Sequence, residues 1–374
     1  MMKSMTSLLV LIACAGMMGT LWAADDLIRP LPTGAQAPDF LLPATDGRNY
    51  SLKDFASARV LAIVFTANHC PTAEAYEDRL IQLVKDYRDR GVAFVAIAPN
   101  DPLALRLDEL GYTDLGDTLA DMKIRARDKG FNFPYLYDGE TQKTSRLYGP
   151  VSTPHVFIFN RERKLCYNGH IDNAEKIGAA TRHDLRNALE AMLAGKAVPV
   201  EITKTFGCSI KWSDKREGAR LYHESLDKEP VTLETIDEAG VRNLARNDSK
   251  KFRLINVWAT WCAPCLVEIP ELVTINRMYR GREFELITIS ADAPDGKDKV
   301  LTALQGKKAA LRNYLFHKED NDALSMALDK DWPGGFPYTL LIAPGGKVLH
   351  RQMGEFDSLK LKKAVVEALG RFYP

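Results

Sequence analysis

Short apolar runs recur in the same order in the two halves of the chain. Leu61-Ala62-Ile63-Val64-Phe65 is unbroken, as expected of a strand buried on both faces. Cys70 follows, and Tyr76, Leu80, Leu83, Val84 and Tyr87 then fall at helical spacing between Ala73 and Arg90. Val92 to Ala98 reads as a second strand. Later come Thr153-Pro154, a strand over Val156 to Phe159, a charged turn over 161–164, another short strand, and a helix from about His183 to Leu193. The second half repeats this order. Leu254 to Trp258 is a strand, Cys262 begins a helix that runs to about Tyr279, and Leu286 to Ser290 is the next strand. Phe336-Pro337 then precedes a strand over Thr339 to Ala343, a Pro344-Gly345-Gly346-Lys347 turn, a strand over Val348 to Arg351, and a helix over Ser358 to Arg371. Strand–helix–strand followed by a hairpin and a helix predicts an α/β chain of two tandem domains, each a central mixed β-sheet flanked by helices. The domains are expected over 33–212 and 231–374, with the polar stretch 213–230 as linker. A charge-rich insertion, Asp101 to Asn132, carries Leu119, Met122, Ile124 and Ala126 as its apolar positions and is expected to cap the Cys70 region.

The opening two dozen residues depart from this pattern. Lys3 precedes an uncharged stretch from Ser7 to Ala23, with a nearly continuous apolar run over Leu8 to Ala15, and acids begin only at Asp25. This reads as a secretory signal peptide cleaved near Ala23 or Ala24. Two alternatives stay open: an uncut membrane anchor, or a lipid attached at Cys14 of Leu11-Ile12-Ala13-Cys14. In each case the rest of the chain is expected outside the cytoplasm, with the periplasm as the reading, where thiol pairs cycle through disulfides.

Composition narrows the classes further. With 374 residues, 46% hydrophobic and 26% charged, the chain is neither a long disordered polymer nor a polytopic membrane protein. Fifty Lys and Arg stand against 49 Asp and Glu, so no basic surplus points to nucleic acid. No Gly-x-Gly-x-x-Gly or phosphate-binding loop calls for a nucleotide, and no cofactor is expected. Six cysteines are too few for a disulfide scaffold, so their placement carries the information.

Trp261-Cys262-Ala263-Pro264-Cys265 holds two thiols separated by two residues at a helix start. That spacing closes a small disulfide ring with little backbone change. Unpaired N–H groups and the positive helix end favour a thiolate at Cys262. Thiolate is the attacking species in disulfide exchange, so Cys262 is expected to attack and Cys265 to resolve. Trp258 and Trp261 would flank the site as apolar substrate-binding surface, or pack into the core. Zinc would need four ligands, and no second Cys-x-x-Cys or His-x-x-x-His partner is near.

The segment Asn256-Val257-Trp258-Ala259-Thr260-Trp261-Cys262-Ala263-Pro264-Cys265 resembles the active-site strand and turn of the thioredoxin superfamily, in its TlpA/ResA-like branch. Ala37-Pro38-Asp39-Phe40, Asn68-His69-Cys70-Pro71, Phe133-Pro134-Tyr135-Leu136 and Ser152-Thr153-Pro154-His155 resemble the redoxin/peroxiredoxin-like branch. The resemblance implies thiol–disulfide exchange with protein cysteines and a membrane or periplasmic protein as electron donor. It implies a proton-handling role for Glu268, and a cis-proline at Pro337 that sets a backbone edge beside the pair, with Phe336 in the substrate surface. It implies a second cis-proline at Pro154, with His155 either facing Cys70 or at the surface. Relatives often carry a cysteine where Ala67 stands, which leaves Cys70 without that partner. Thr66 lies four residues before Cys70, where peroxiredoxins place a threonine three before, so peroxide chemistry at Cys70 is an alternative rather than the main expectation. Cys208 is the candidate partner for a second pair, Cys70–Cys208, and Cys166 is expected to be a buried, inert strand residue. A third reading makes the first domain a non-catalytic module that holds client proteins.

Overall fold

The computed structural model describes residues 28–373, so the leader-like segment and Cys14 lie outside the described residues. In the first half the elements are β1 (Leu41–Pro43), β2 (Asn49–Ser51), β3 (Val60–Phe65), α1 (Pro71–Tyr87), β4 (Val92–Ala98), α2 (Leu119–Lys129), β5 (Tyr135–Tyr137), α3 (Lys143–Tyr148), β6 (His155–Phe159), β7 (Leu165–Gly169) and α4 (Asp184–Leu193). Helix α5 (Arg216–Leu226) follows. The second half contains β8 (Glu234–Ile236), α6 (Glu238–Arg246), β9 (Phe252–Trp258), α7 (Ala263–Tyr279), β10 (Phe284–Ser290), α8 (Lys297–Gly306), β11 (Arg312–Phe316), α9 (Asn321–Leu328), β12 (Tyr338–Ile342), β13 (Val348–Met353) and α10 (Ser358–Leu369).

Two mixed sheets result. The first runs β5-β4-β3-β6-β7 and the second β13-β12-β9-β10-β11-β8. In each, a central strand pairs parallel with one neighbour and antiparallel with the first strand of a hairpin. β3 lies parallel to β4 and antiparallel to β6; β9 lies parallel to β10 and antiparallel to β12. Every residue of β3 is buried, the pattern of a strand covered on both faces. Separate apolar clusters pack on the two faces of each sheet, for example around Tyr76 and Leu185 on one face of the first and Phe65 and Phe157 on the other. Both halves thus have the mixed α/β architecture expected of thioredoxin-like domains.

The register places the chemistry. Each central strand ends just before a cysteine-bearing turn, and each antiparallel neighbour begins just after a proline. Phe65 pairs with His155, next to Pro154, and Val257 pairs with Tyr338, next to Pro337. Both X-Pro bonds, Thr153-Pro154 and Phe336-Pro337, are cis, as the motifs predict.

The 213–230 stretch differs from the expected linker. It forms a 3-10 turn and then α5, whose Ala219 and Leu226 are buried. Its polar composition reflects an amphipathic helix with one covered face. The insertion and the C-terminus of α7 join the halves: Tyr279 Oη donates to the Thr113 carbonyl at 2.8 Å, and the Arg282 guanidinium lies 4.0 Å from the centre of the Tyr112 ring. Cys262 sits at the other end of α7, so about 25 Å of helix separates it from this contact. Among the described residues no helix is long and apolar enough to cross a membrane.

Candidate active site

Cys262 and Cys265 are joined in a disulfide. Cys262 is the N-cap of α7, and its sulfur accepts from the Cys265 amide at 3.4 Å. Cys262 is 6% exposed and Cys265 is fully buried, so the first sulfur is the one nearer solvent. Trp261, 59% exposed, stands beside it and meets Phe336 edge-on at 5.3 Å. Trp261 and Phe336 therefore frame the cysteine turn as expected. Trp258 does not: it is wholly buried at the end of β9, packed with Cys262, Cys265 and Ile269. Its place at the last position of a central strand turns it inward, so it supports the pair from beneath and offers no substrate surface.

Glu268 lies one helical turn beyond Cys265, buried. Its Oε1 accepts from Asn256 Nδ2 at 2.8 Å, and Asn256 also donates to Thr339 Oγ1 at 3.1 Å. Oε2 has no partner. Burial pushes the Glu268 carboxyl up to about 7, against the hydrogen bond from Asn256. The result is a buried acid that changes protonation near neutrality, one helical turn beyond Cys265.

The first half builds its turn differently. Cys70 is the N-cap of α1, and its sulfur accepts from the Ala73 amide at 3.3 Å. Cys70 holds the N-cap position that Cys262 holds in the second half, so Ala73 stands where Cys265 does, and Ala67 packs against Cys70 as well. Cys70 is fully buried and donates to the Thr153 carbonyl at 3.2 Å. The insertion covers it, as expected, but with a charged group that the sequence reading missed. Asp117 accepts from His69 Nδ1 at 2.6 Å, from the Asn68 amide at 2.8 Å and from Asn100 Nδ2 at 2.8 Å. Arg125 of α2 forks Glu77 of α1 at 2.7 and 2.8 Å and ties the insertion down. Burial alone would lower the His69 basicity; the Asp117 charge and hydrogen bond outweigh it and raise it. Burial likewise opposes ionisation of Cys70, but the hydrogen bond with Cys208 and the His69 charge prevail and lower its pKa.

Cys208 reaches this site across the sequence. It packs against Ala67, Cys70 and Ala73, and both Cys70 and Cys208 are free thiols in this structure. His155 does not face Cys70: its Nε2 is 2.5 Å from Asn168 Oδ1, and its Nδ1 accepts from the Val151 amide. Cys166 lies on β7 as expected, but β7 is an edge strand, so the thiol is half-buried and not sealed in the core.

Comparison with known proteins gives a consistent set. Residues 33–168 match the AhpC/TSA family. The thiol:disulfide interchange protein CycY of Rhizobium leguminosarum is 24% identical over 155 residues, covering 40% of this chain and 74% of that protein. The thiol-disulfide oxidoreductase ResA of Bacillus cereus is 25% identical over 137 residues, covering 35% of this chain and 70% of that protein. A crystal structure of a hypothetical protein from Sinorhizobium meliloti is 34% identical, covering 50% of this chain and 97% of that one, with a TM-score of 0.44. The chain thus carries an AhpC/TSA-like region, and its curated homologues are thiol-disulfide oxidoreductases.

Proposed function

We propose that the chain is an exported thiol-disulfide oxidoreductase of two tandem thioredoxin-type domains, exchanging disulfides with protein cysteines through Cys262 and Cys265. The observation that carries this reading is the Cys262–Cys265 disulfide at the start of α7, with the outer sulfur on the N-cap and a buried acid one turn below the inner one. In the reducing direction, the Cys262 thiolate attacks a substrate disulfide, forms a mixed disulfide and expels one substrate thiolate. Cys265 then gives up its proton, attacks the Cys262 sulfur and releases the second thiolate. Glu268, ionised above about pH 7, takes that proton as a carboxylate and returns it when the pair is reduced again. Trp261 and Phe336 supply apolar contact for the segment around the substrate cysteine. Among the described residues no strand bridges to Phe336, which leaves the edge beside Pro337 for an incoming peptide. Electrons come from a membrane or periplasmic partner protein. The leader pattern of the first 24 residues supports export. Trapping tests the reading: Cys265→Ser should accumulate mixed disulfides joined to Cys262, and their absence in cells that contain the protein would overturn it.

Peroxide reduction at Cys70 is a second reading, favoured by the buried His69–Asp117 pair beside that thiol. Hydrogen peroxide consumption by wild type and not by Cys70→Ser would support it; equal consumption would end it.

A further inference from the structure

The segment at 207–208 occupies, in the first half, the position that no described residue bridges in the second. Thr153 precedes the cis-proline Pro154, and its amide donates to the Cys208 carbonyl at 2.9 Å in an isolated antiparallel bridge. Gly207 makes the approach feasible. A Cβ there would collide with the Thr153 carbonyl oxygen, and its φ of +125° is one that side-chain-bearing residues rarely adopt. A strand of the chain's own thus lies where a peptide adds beside a cis-proline, and it delivers a thiol to Cys70. The two sulfurs are unequal. Cys70 is fully buried, whereas Cys208 is half-buried, its sulfur 4.0 Å from the Tyr373 hydroxyl near the C-terminus. Tyr373 in turn packs on Tyr112 at 4.9 Å and is a wall of a cleft of about 540 Å³ shared with Ala75, Ile177 and Phe372. His69 Nε2, in a side chain 2% exposed, has no hydrogen-bond partner among the described residues.

We infer that Cys70 and Cys208 form a second reversible dithiol–disulfide centre, in which Cys208 is the outer sulfur that exchanges with low-molecular-weight thiols and disulfides, and Cys70 is the inner one. This centre is independent of the Cys262–Cys265 reading. In this centre the N-cap sulfur, Cys70, is the inner one, whereas in the second half the N-cap sulfur, Cys262, is the outer one.

The exchange balances with a disulfide such as oxidised glutathione as oxidant. Against the hydrogen bond to Cys70 and the burial that raise its pKa, Cys208 loses its proton to solvent and attacks one glutathione sulfur. A Cys208–glutathione bond forms, the glutathione S–S bond breaks and one glutathione thiolate leaves. The Cys70 thiolate then attacks the Cys208 sulfur, forming the Cys70–Cys208 bond and expelling the second glutathione thiolate. Two electrons pass from the two cysteines to the oxidant. In reverse, an incoming thiolate attacks Cys208, and Cys70 departs as a thiolate beside the His69–Asp117 pair, a good leaving group because it is a weak base.

The test uses the full chain carrying Cys262→Ser and Cys265→Ser, equilibrated in buffers of reduced and oxidised glutathione, quenched by alkylation and mapped by mass. A Cys70–Cys208 bridge should form and reverse with the glutathione ratio. Adding Cys70→Ser should halt the reaction at a Cys208–glutathione adduct, and adding Cys208→Ser should leave Cys70 free of glutathione. Gly207→Ala should slow bridge formation on the order of tenfold or more by displacing Cys208 from the Thr153 edge. Absence of the bridge in the parent chain, or glutathione attached to Cys70 in the Cys208→Ser chain, would overturn the inference. Both serine variants exchange one sulfur for oxygen, and a thermal melt of each confirms that the chain is folded when read.

Discussion

The two cysteine turns share a frame and differ in where the second sulfur comes from. Each turn leaves the end of a central strand, caps a helix with a cysteine, and faces a cis-proline at the start of the neighbouring antiparallel strand. In the second half the third residue after the cap is Cys265, nothing among the described residues bridges to the cis-proline edge, and an exposed indole stands beside the pair. In the first half that third residue is Ala73, the edge is filled by residues 207–208, and the cysteine is sealed beneath an insertion. The same scaffold therefore supports an outward-facing exchange site and an enclosed one. The difference lies in one helix position, in what occupies one backbone edge and in the insertion that covers the first cysteine. The proton partners also differ: Glu268 in the second half is a buried acid held by an Asn256 amide, whereas His69 and Asp117 in the first form a buried ion pair.

The largest expected effect comes from making the two turns alike. Ala73→Cys places a thiol where Cys265 stands relative to Cys262, in a pair whose Cα atoms are 5.3 Å apart. The introduced thiol should bridge to Cys70, detectable by mass mapping, in place of any bridge to Cys208. A chain in which Cys70 ignores the new neighbour would break the comparison. Asp117→Asn comes next. It strips a buried imidazolium of its counter-charge and should destabilise the chain by about 3 kcal/mol in denaturant titrations. It should also raise the Cys70 pKa and slow its alkylation near neutral pH, while leaving Cys262 untouched.

Glu268→Gln separates the second half by pH. Its carboxyl rises from about 4.5 to about 7 on burial in the folded chain. An acid that holds its proton more tightly when folded stabilises the fold at low pH, and this contribution fades as pH climbs from the unfolded value through the folded one. Wild type should therefore lose about 2 kcal/mol relative to Glu268→Gln across that window, allowing for partial solvent contact. The exchange rate of the variant should also lose its inflection near neutrality. The smallest effect is expected of Trp261→Ala. The exposed indole contributes below about 1 kcal/mol to stability, so the melt should hardly move, while KM for a protein disulfide rises a few-fold and kcat stays put.

Much of this frame is legible in the residues. Unbroken apolar runs mark β3 and β4 because strands buried on both faces carry no alternation to hide them. The largely apolar stretches Leu254 to Trp258 and Leu286 to Ser290, interrupted by Asn256 in one and by Thr288 and Ser290 in the other, mark β9 and β10. Cys262-Ala263-Pro264-Cys265 announces its own helix start. Other parts are hidden for physical reasons. Strands of three residues, such as β5 and β8, are too short to show a period, and α5 reads as a linker because only two of its residues are buried. Asp117 lies 48 residues from His69, and only the folded insertion brings them together. Placing Ala73 opposite Cys70 requires the helix register, which the apolar spacing alone leaves free by a residue or two. Trp258 and Trp261 look equivalent in sequence; the strand end turns one inward and the helix start turns the other out.

The division of labour between Cys262 and Cys265 is tested most directly by the pH dependence of alkylation of each thiol in the reduced chain, read by peptide mass. Cys262, on the helix N-cap and nearer solvent, should react with a pKa below the ordinary value of about 8.5, and Cys265, fully buried, with a pKa above it. Should Cys262 titrate above Cys265, the assignment of attacking and resolving sulfurs would be contradicted.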